Sequence, residues 1–188
     1  MTSRREARQA REAATAEIED IESTLVSHSR LSDAERLVGR LTELGWSVGI
    51  AESLTGGLVV ASVVGVPGAS AVLRGAVVAY ATEIKQTVLG VDPTLLAAHG
   101  PVHPRVAQQM AEGVRRLLGH GGEPVDVGIA TTGIAGPDSP DGQPVGTVHV
   151  AVTTPLGSRV ESLELDGDRD HIRAEATARA LRLAFDAL

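Results

Sequence analysis

The stretch that decides the fold is Val48-Gly49-Ile50-Ala51-Glu52-Ser53-Leu54-Thr55-Gly56-Gly57, followed by the apolar run Leu58 to Val64. Val48 to Ala51 is short, apolar and partly β-branched, which suits a buried strand. Ser53 to Gly57 supplies turn chemistry, and the run from Leu58 predicts a helix. A strand that feeds a helix through a glycine turn is the unit from which α/β sheets are built.

Upstream, Ser32 followed three residues later by Glu35 forms a capping-box pattern before Ala34, Leu37, Val38, Leu41 and Leu44, and Gly45 closes that helix. Downstream, Val72 to Tyr80 predicts a strand with Gly75 as a bulge or close-approach point, and Thr82 to Leu89 a short helix. Pro104 opens an amphipathic helix with the stripe Val106, Ala107, Met110, Ala111, Val114, Leu117 and Leu118, which Gly119 ends. Val127 to Thr131 predicts a third strand, running into the tight loop Thr132-Gly133-Ile134-Ala135-Gly136-Pro137. Val148, Val150 and Val152 alternate as a half-buried strand. Val160 and Leu163 to Leu165 fall out of phase, which predicts a hairpin partner with an irregularity. A last helix follows Asp168. The order of elements predicts an α/β fold, a three-layer α/β/α sandwich around a mixed β-sheet.

Residues 31–188 form the expected domain, and residues 1–30 an N-terminal helical or flexible extension. Within the extension Ala7, Ala14, Ile18, Ile21 and Leu25 recur at helical spacing, but so thin a stripe would bury little. The 188-residue chain is long enough for a sizeable core without covalent staples.

Composition narrows the function. With no cysteine, thiolate metal sites, iron–sulfur clusters and a cysteine nucleophile are excluded. A net charge of −7 and three aromatic residues, Trp46, Tyr80 and Phe185, argue against phosphate-backbone binding and base stacking, so no direct nucleic-acid partner is expected. The longest apolar stretch, Leu58 to Leu73, is broken by Gly65, Pro67 and Gly68, so no membrane span is expected and the reading is cytoplasmic. His99 and His103 have helical spacing, but Gly100 and Pro101 interrupt it, and no metal is expected.

Two glycine turns after strands, Ser53 to Gly57 and Thr132 to Gly136, are where an α/β sheet gathers ligands. Neither is a Walker loop or a dinucleotide fingerprint. Taken by themselves, Ser53 and Thr55 also fit helix capping. Tyr80 and Lys85 flank a strand-to-helix junction and can project toward one strand end, although an exposed lysine beside a rim tyrosine fits that spacing too. Arg169 and Arg173, four apart near the start of the last helix, share a face where cations oppose the helix dipole, as befits a nearby anion or simply a solvated face.

Together Ala51-Glu52-Ser53-Leu54-Thr55-Gly56-Gly57, Tyr80-Ala81-Thr82-Glu83-Ile84-Lys85, Thr132 to Pro137 with Pro144-Val145-Gly146-Thr147-Val148, and Gly167-Asp168-Arg169 with Arg173 closely resemble the CinA C-terminal-domain family. That family includes the nicotinamide mononucleotide deamidases, and the resemblance is to their stand-alone form. It implies hydrolysis of the carboxamide of nicotinamide mononucleotide to nicotinate mononucleotide and ammonia, without a cofactor. Carried over residue by residue, it makes Ser53, Tyr80 and Lys85 catalytic. Ser53 would attack, Lys85 would take its proton, and Tyr80 would relay or orient that proton. A rival arrangement has Lys85 activate water while Ser53 only binds. Amides around Thr55, Gly56 and Gly57 would stabilise the oxyanion, while Thr132, Gly133, Arg169 and Arg173 would hold the nucleotide. The resemblance also implies a homo-oligomer, a dimer or larger. Ala81-Thr82 stands where many members have Ser-Asn, and Leu54 where a small polar residue is common, which bears on substrate contacts. Two further readings remain: a non-catalytic nucleotide- or partner-binding relative linked to competence or DNA damage, and an amidase for another pyridine or nucleotide amide.

Overall fold

A computed structural model describes residues 31–139 and 142–188. The helical or flexible extension expected for residues 1–30 lies outside the described residues. The elements run α1 (Asp33–Leu44), β1 (Val48–Glu52), α2 (Leu58–Val64), a 3-10 turn (Ala69–Ala71), β2 (Leu73–Val78), α3 (Thr82–Thr87), α4 (Pro93–His99), α5 (Pro104–Leu117), β3 (Val127–Gly133), β4 (Thr147–Thr154), β5 (Gly157–Glu164) and α6 (Arg169–Asp186).

The five strands are ordered β2-β1-β3-β4-β5. β1 runs parallel to both β2 and β3, whereas β4 is antiparallel to β3 and to β5. The sheet is therefore mixed, as the alternation of helices and then a hairpin predicts. Strand periodicity sorts the two faces. Val48, Ile50, Val127 and Ile129 join Val148, Val150 and Val152 in a core with residues of α1, α2 and α6, including Leu37, Leu41, Val59, Ile172 and Ala180. Their alternates Ala51, Ala130 and Ala151 meet Met110, Ala111 and Val114 of α5 on the other side.

The second face is built from small residues because α5 lies close to the sheet. A Cβ on Gly128 would sit 2.0 Å from the carbonyl oxygen of Ala111, and one on Gly113 would sit 1.9 Å from that of Leu89. A side chain at Gly128 would push α5 and the sheet apart, and one at Gly113 would push α5 away from the segment that follows α3.

The register of β1 on β2 shifts between Val48 and Gly49, which face Leu73 and Gly75, so the irregularity falls where Gly75 suggested one. The hairpin of β4 and β5 is different. Its pairing is unbroken from Thr147↔Glu164 to Thr154↔Gly157, so the expected irregularity is absent. β5 is an edge strand with most of its residues exposed, and an edge strand need not alternate apolar and polar residues. Helix α4 was not read from the sequence. It begins on an Asp92 cap with Pro93 in its first turn, a start signal followed by too few apolar residues to register as a stripe. Among the described residues no helix is long and apolar enough to cross a membrane.

Candidate active site

The carboxyl ends of the three parallel strands bring the candidate residues together. β1 ends at Glu52, directly before Ser53. β2 leads into Ala79 and Tyr80, and the Ala79 amide donates to the Glu52 carbonyl at 2.7 Å. α3 then turns Lys85 back under the strand ends. Its Nζ lies 3.0 Å from Ser53 Oγ, 2.7 Å from the Ala79 carbonyl and 3.5 Å from the Tyr80 carbonyl. Lys85 is 1% exposed and Ser53 7% exposed.

That geometry has a chemical meaning. A neutral amine carries two N–H groups and one lone pair. Nζ donates to all three oxygens, and once it has given up a proton two N–H groups remain for the carbonyls while the lone pair can face Ser53 Oγ. A nucleophile next to a base that is held by further groups is the recurring arrangement of covalent catalysis.

The loop after Ser53 is built from inside. The Glu52 carboxylate, fully buried, accepts from the amides of Gly57 at 2.8 Å, Val59 at 3.2 Å and Val60 at 2.8 Å. It thereby fills the N-terminus of α2 with a charge belonging to the chain itself. Gly56 and Gly57 take φ of 60° and 101°, which only glycine adopts freely. The Gly56 amide bonds the Ser53 carbonyl at 3.1 Å, so this amide and that of Gly57 are engaged within the loop.

Thr55 is buried, with its hydroxyl 2.8 Å from that of Thr131, which also accepts from the Ser53 amide at 3.4 Å. Arg173 closes the loop from α6, donating through Nε to the Leu54 carbonyl at 3.0 Å and through a terminal nitrogen to the Thr55 carbonyl at 3.1 Å.

A cavity of about 250 Å³ opens above this floor, lined by Ser53, Tyr80, Lys85, Thr132, Gly133 and Arg169 together with Leu54, Thr82, Pro101, Val102, Asp138 and the 134–136 loop. Of the ten residues singled out from the sequence, these first six therefore share one cavity. Thr55, Gly56, Gly57 and Arg173 are not among its lining residues and lie in the loop that supports it. Tyr80 is 63% exposed, and its hydroxyl accepts from Arg169 at 3.3 Å, while its link to Lys85 runs through its backbone carbonyl. Arg169 also donates to the Gly136 carbonyl at 2.7 Å. The Thr132 hydroxyl donates to the Pro101 carbonyl at 2.8 Å, tying the segment before α5 to the end of β3.

Glu52, Thr131 and the Pro101–Val102 wall were not singled out beforehand. Glu52 carried a signal, a carboxylate ending an apolar strand just before a helix start. Thr131 and Val102 carried none, since a threonine in a strand and a valine in a loop are ordinary.

Comparison with known proteins agrees with the architecture. The CinA C-terminal domain matches residues 31–188. A CinA-like protein of Frankia casuarinae is 46% identical over 147 residues, covering 78% of this chain and 33% of that protein. Another CinA-like protein, of an Anaeromyxobacter species, is 50% identical over 151 residues, covering 79% of this chain and 36% of that protein. The chain thus spans about a third of the length of these curated relatives. The crystal structure of the competence/damage inducible protein CihA from Agrobacterium tumefaciens superposes with a TM-score of 0.73 at 33% identity, covering 83% of this chain and 97% of that one. By sequence match over residues 31–188 and by fold, the chain belongs to the CinA C-terminal domain family.

Proposed function

We propose that this chain hydrolyses the carboxamide of nicotinamide mononucleotide, releasing ammonia and nicotinate mononucleotide. The observation that carries the proposal is the buried Lys85 Nζ placed 3.0 Å from Ser53 Oγ at the floor of a cavity of about 250 Å³. Lys85 takes the Ser53 proton as Oγ attacks the carbonyl carbon, and a tetrahedral oxyanion forms. The protonated lysine returns that proton to the nitrogen as the C–N bond breaks and ammonia leaves. Water then cleaves the acyl-serine, with Lys85 again as base, giving the carboxylate. One water is consumed and no electrons are transferred.

The local geometry reassigns some supporting roles. Gly56 and Gly57 shape the loop, since their amides are already bonded, and Arg173 holds the carbonyls of Leu54 and Thr55. Tyr80 orients Arg169 at the cavity mouth, and Arg169 supplies positive charge for the oxyanion or the ligand.

Ammonia release from nicotinamide mononucleotide, nicotinamide riboside and free nicotinamide tests the assignment. The expected order places the mononucleotide first by at least tenfold in kcat/KM, because binding energy from the non-reacting part of the substrate contributes to catalysis. Equal rates on all three would point to a general pyridine amidase. No turnover of any of them by the folded protein would leave the non-catalytic, ligand-binding reading.

A further inference from the structure

Beside the Ser53–Lys85 cavity lies a second one of about 620 Å³, lined by Ala98, His99, Gly100, Val102, His103, Pro104, Gln143 and His149. Val102 borders both cavities, and His149 on β4 sits directly opposite Thr132 on β3. The two cavities are thus neighbours on one face of the sheet, one strand apart.

Three imidazoles gather there. His99 and His103 stack with ring centroids 4.6 Å apart. His103 caps α5, with Nδ1 accepting from the Arg105 amide at 3.2 Å, so its neutral ring must carry the proton on Nε2. His149 is 7% exposed, and its Nδ1 lies 2.9 Å from the Ser162 hydroxyl. In the tautomer that accepts from Ser162, its Nε2 likewise bears hydrogen. Among the described residues no group of side chains is placed to hold a metal ion, and no carboxylate lines this cavity.

Burial first, and neighbouring positive charge second, disfavour protonation of two of these imidazoles. The His103 pKa is lowered by burial and by the neighbouring His99 and Arg105, and that of His149 by burial and by His103. A bound anion would favour the protonated rings and draw both values back up. Of the residues expected to hold the nucleotide, Arg173 holds loop carbonyls and the Thr132 hydroxyl donates to Pro101, while Gly133 and Arg169 line the first cavity.

We infer that His99, His103 and His149 form a phosphoryl-binding subsite adjoining the Ser53–Lys85 cavity. Its ligand is a phosphate monoester or inorganic phosphate. That this phosphoryl group is the substrate's own rests on the function proposed above.

The test follows the imidazole C2–H resonances of the whole chain during titration with inorganic phosphate, against chloride at equal ionic strength. The expected result is a saturable shift of His103 and His149, half-complete below about 10 mM phosphate, with their titration moved to higher pH. His149→Phe and His103→Ser, the latter keeping a residue that caps the helix, should each weaken the phosphate response at least about tenfold. Absence of a phosphate-specific shift in the parent overturns the subsite, as does an undiminished response in both variants. The two sources separate in turnover assays. Phosphate that raises KM for nicotinamide mononucleotide at constant kcat occupies the substrate's phosphoryl position, and phosphate that lowers kcat alone binds as a separate ligand. A parent that binds phosphate through these histidines but turns over no mononucleotide refutes the proposed function and leaves the subsite standing.

Discussion

Glu52→Gln changes one buried atom and separates the charge of this side chain from its shape. In the parent, one carboxylate oxygen accepts from Gly57 and Val59 and the other from Val60. A glutamine in the same position can keep its carbonyl oxygen toward Gly57 and Val59 but must aim an NH2 group at the Val60 amide. Flipping the amide sets two donors against the NH2 group in place of one. The two retained bonds lose their ionic character, at about 1 kcal/mol each, and the Val60 amide loses its acceptor, at about 2 kcal/mol. A neutral amide is easier to bury than a carboxylate, which returns about 1 kcal/mol. The net loss is about 3 kcal/mol, or a fall in Tm of about 9 °C for a domain of this size. Urea unfolding with an unchanged m-value and a calorimetric scan would measure it. A variant melting within about 2 °C of the parent would refute the claim that this carboxylate holds the Ser53 loop. Where enough folded protein remains, kcat should fall more than KM rises, because Ser53 is the residue whose position depends on the loop.

Other expectations are equally concrete. Gly128→Ala, whose Cβ would lie 2.0 Å from the Ala111 carbonyl oxygen, should destabilise by about 3 kcal/mol or more in urea unfolding, and a loss below about 0.5 kcal/mol would contradict the close approach of α5. Arg173→Met removes two bonds to the loop carbonyls and should lower kcat with little change in KM, whereas a large rise in KM alone would make this arginine a ligand contact. His149 binds its proton less readily in the fold than in the unfolded chain. Its contribution to stability is therefore fully present above the ordinary imidazole value of 6.5 and is lost as pH falls through the lowered folded value. His149→Phe should flatten the acid side of the Tm profile, and an unchanged profile would assign the acid sensitivity to other groups.

The parallel half of the sheet was readable because its strands alternate with helices whose starts and stops are marked by Ser32, Gly45, Pro104 and Gly119. The division of the two faces into β-branched and small residues was not, since Gly128 and Gly113 acquire meaning only when the opposing carbonyls are in place. β5 misled because a mostly exposed edge strand has no clean period. In the site, Ser53, Tyr80, Lys85, Thr132, Gly133 and Arg169 line one cavity, and the strand-turn-helix pattern with the family motifs identified them. Those motifs do not distinguish a residue that meets the ligand from one that holds the loop. Arg173, Gly56 and Gly57 carry out the second task, a matter of which atoms their donors reach. His149 was invisible for the opposite reason, because a histidine alternating in a valine-rich strand joins His99 and His103 only through the tertiary fold.

The most direct test of the central claim is the release of nicotinate mononucleotide from nicotinamide mononucleotide by the parent, Ser53→Ala and Lys85→Ala, each shown to be folded. A serine nucleophile served by a lysine base predicts turnover by the parent and a loss of at least about a hundredfold in kcat in both variants. Turnover surviving in Ser53→Ala but not in Lys85→Ala would contradict serine attack and leave Lys85 activating water. Survival in both would remove the pair from the chemistry altogether.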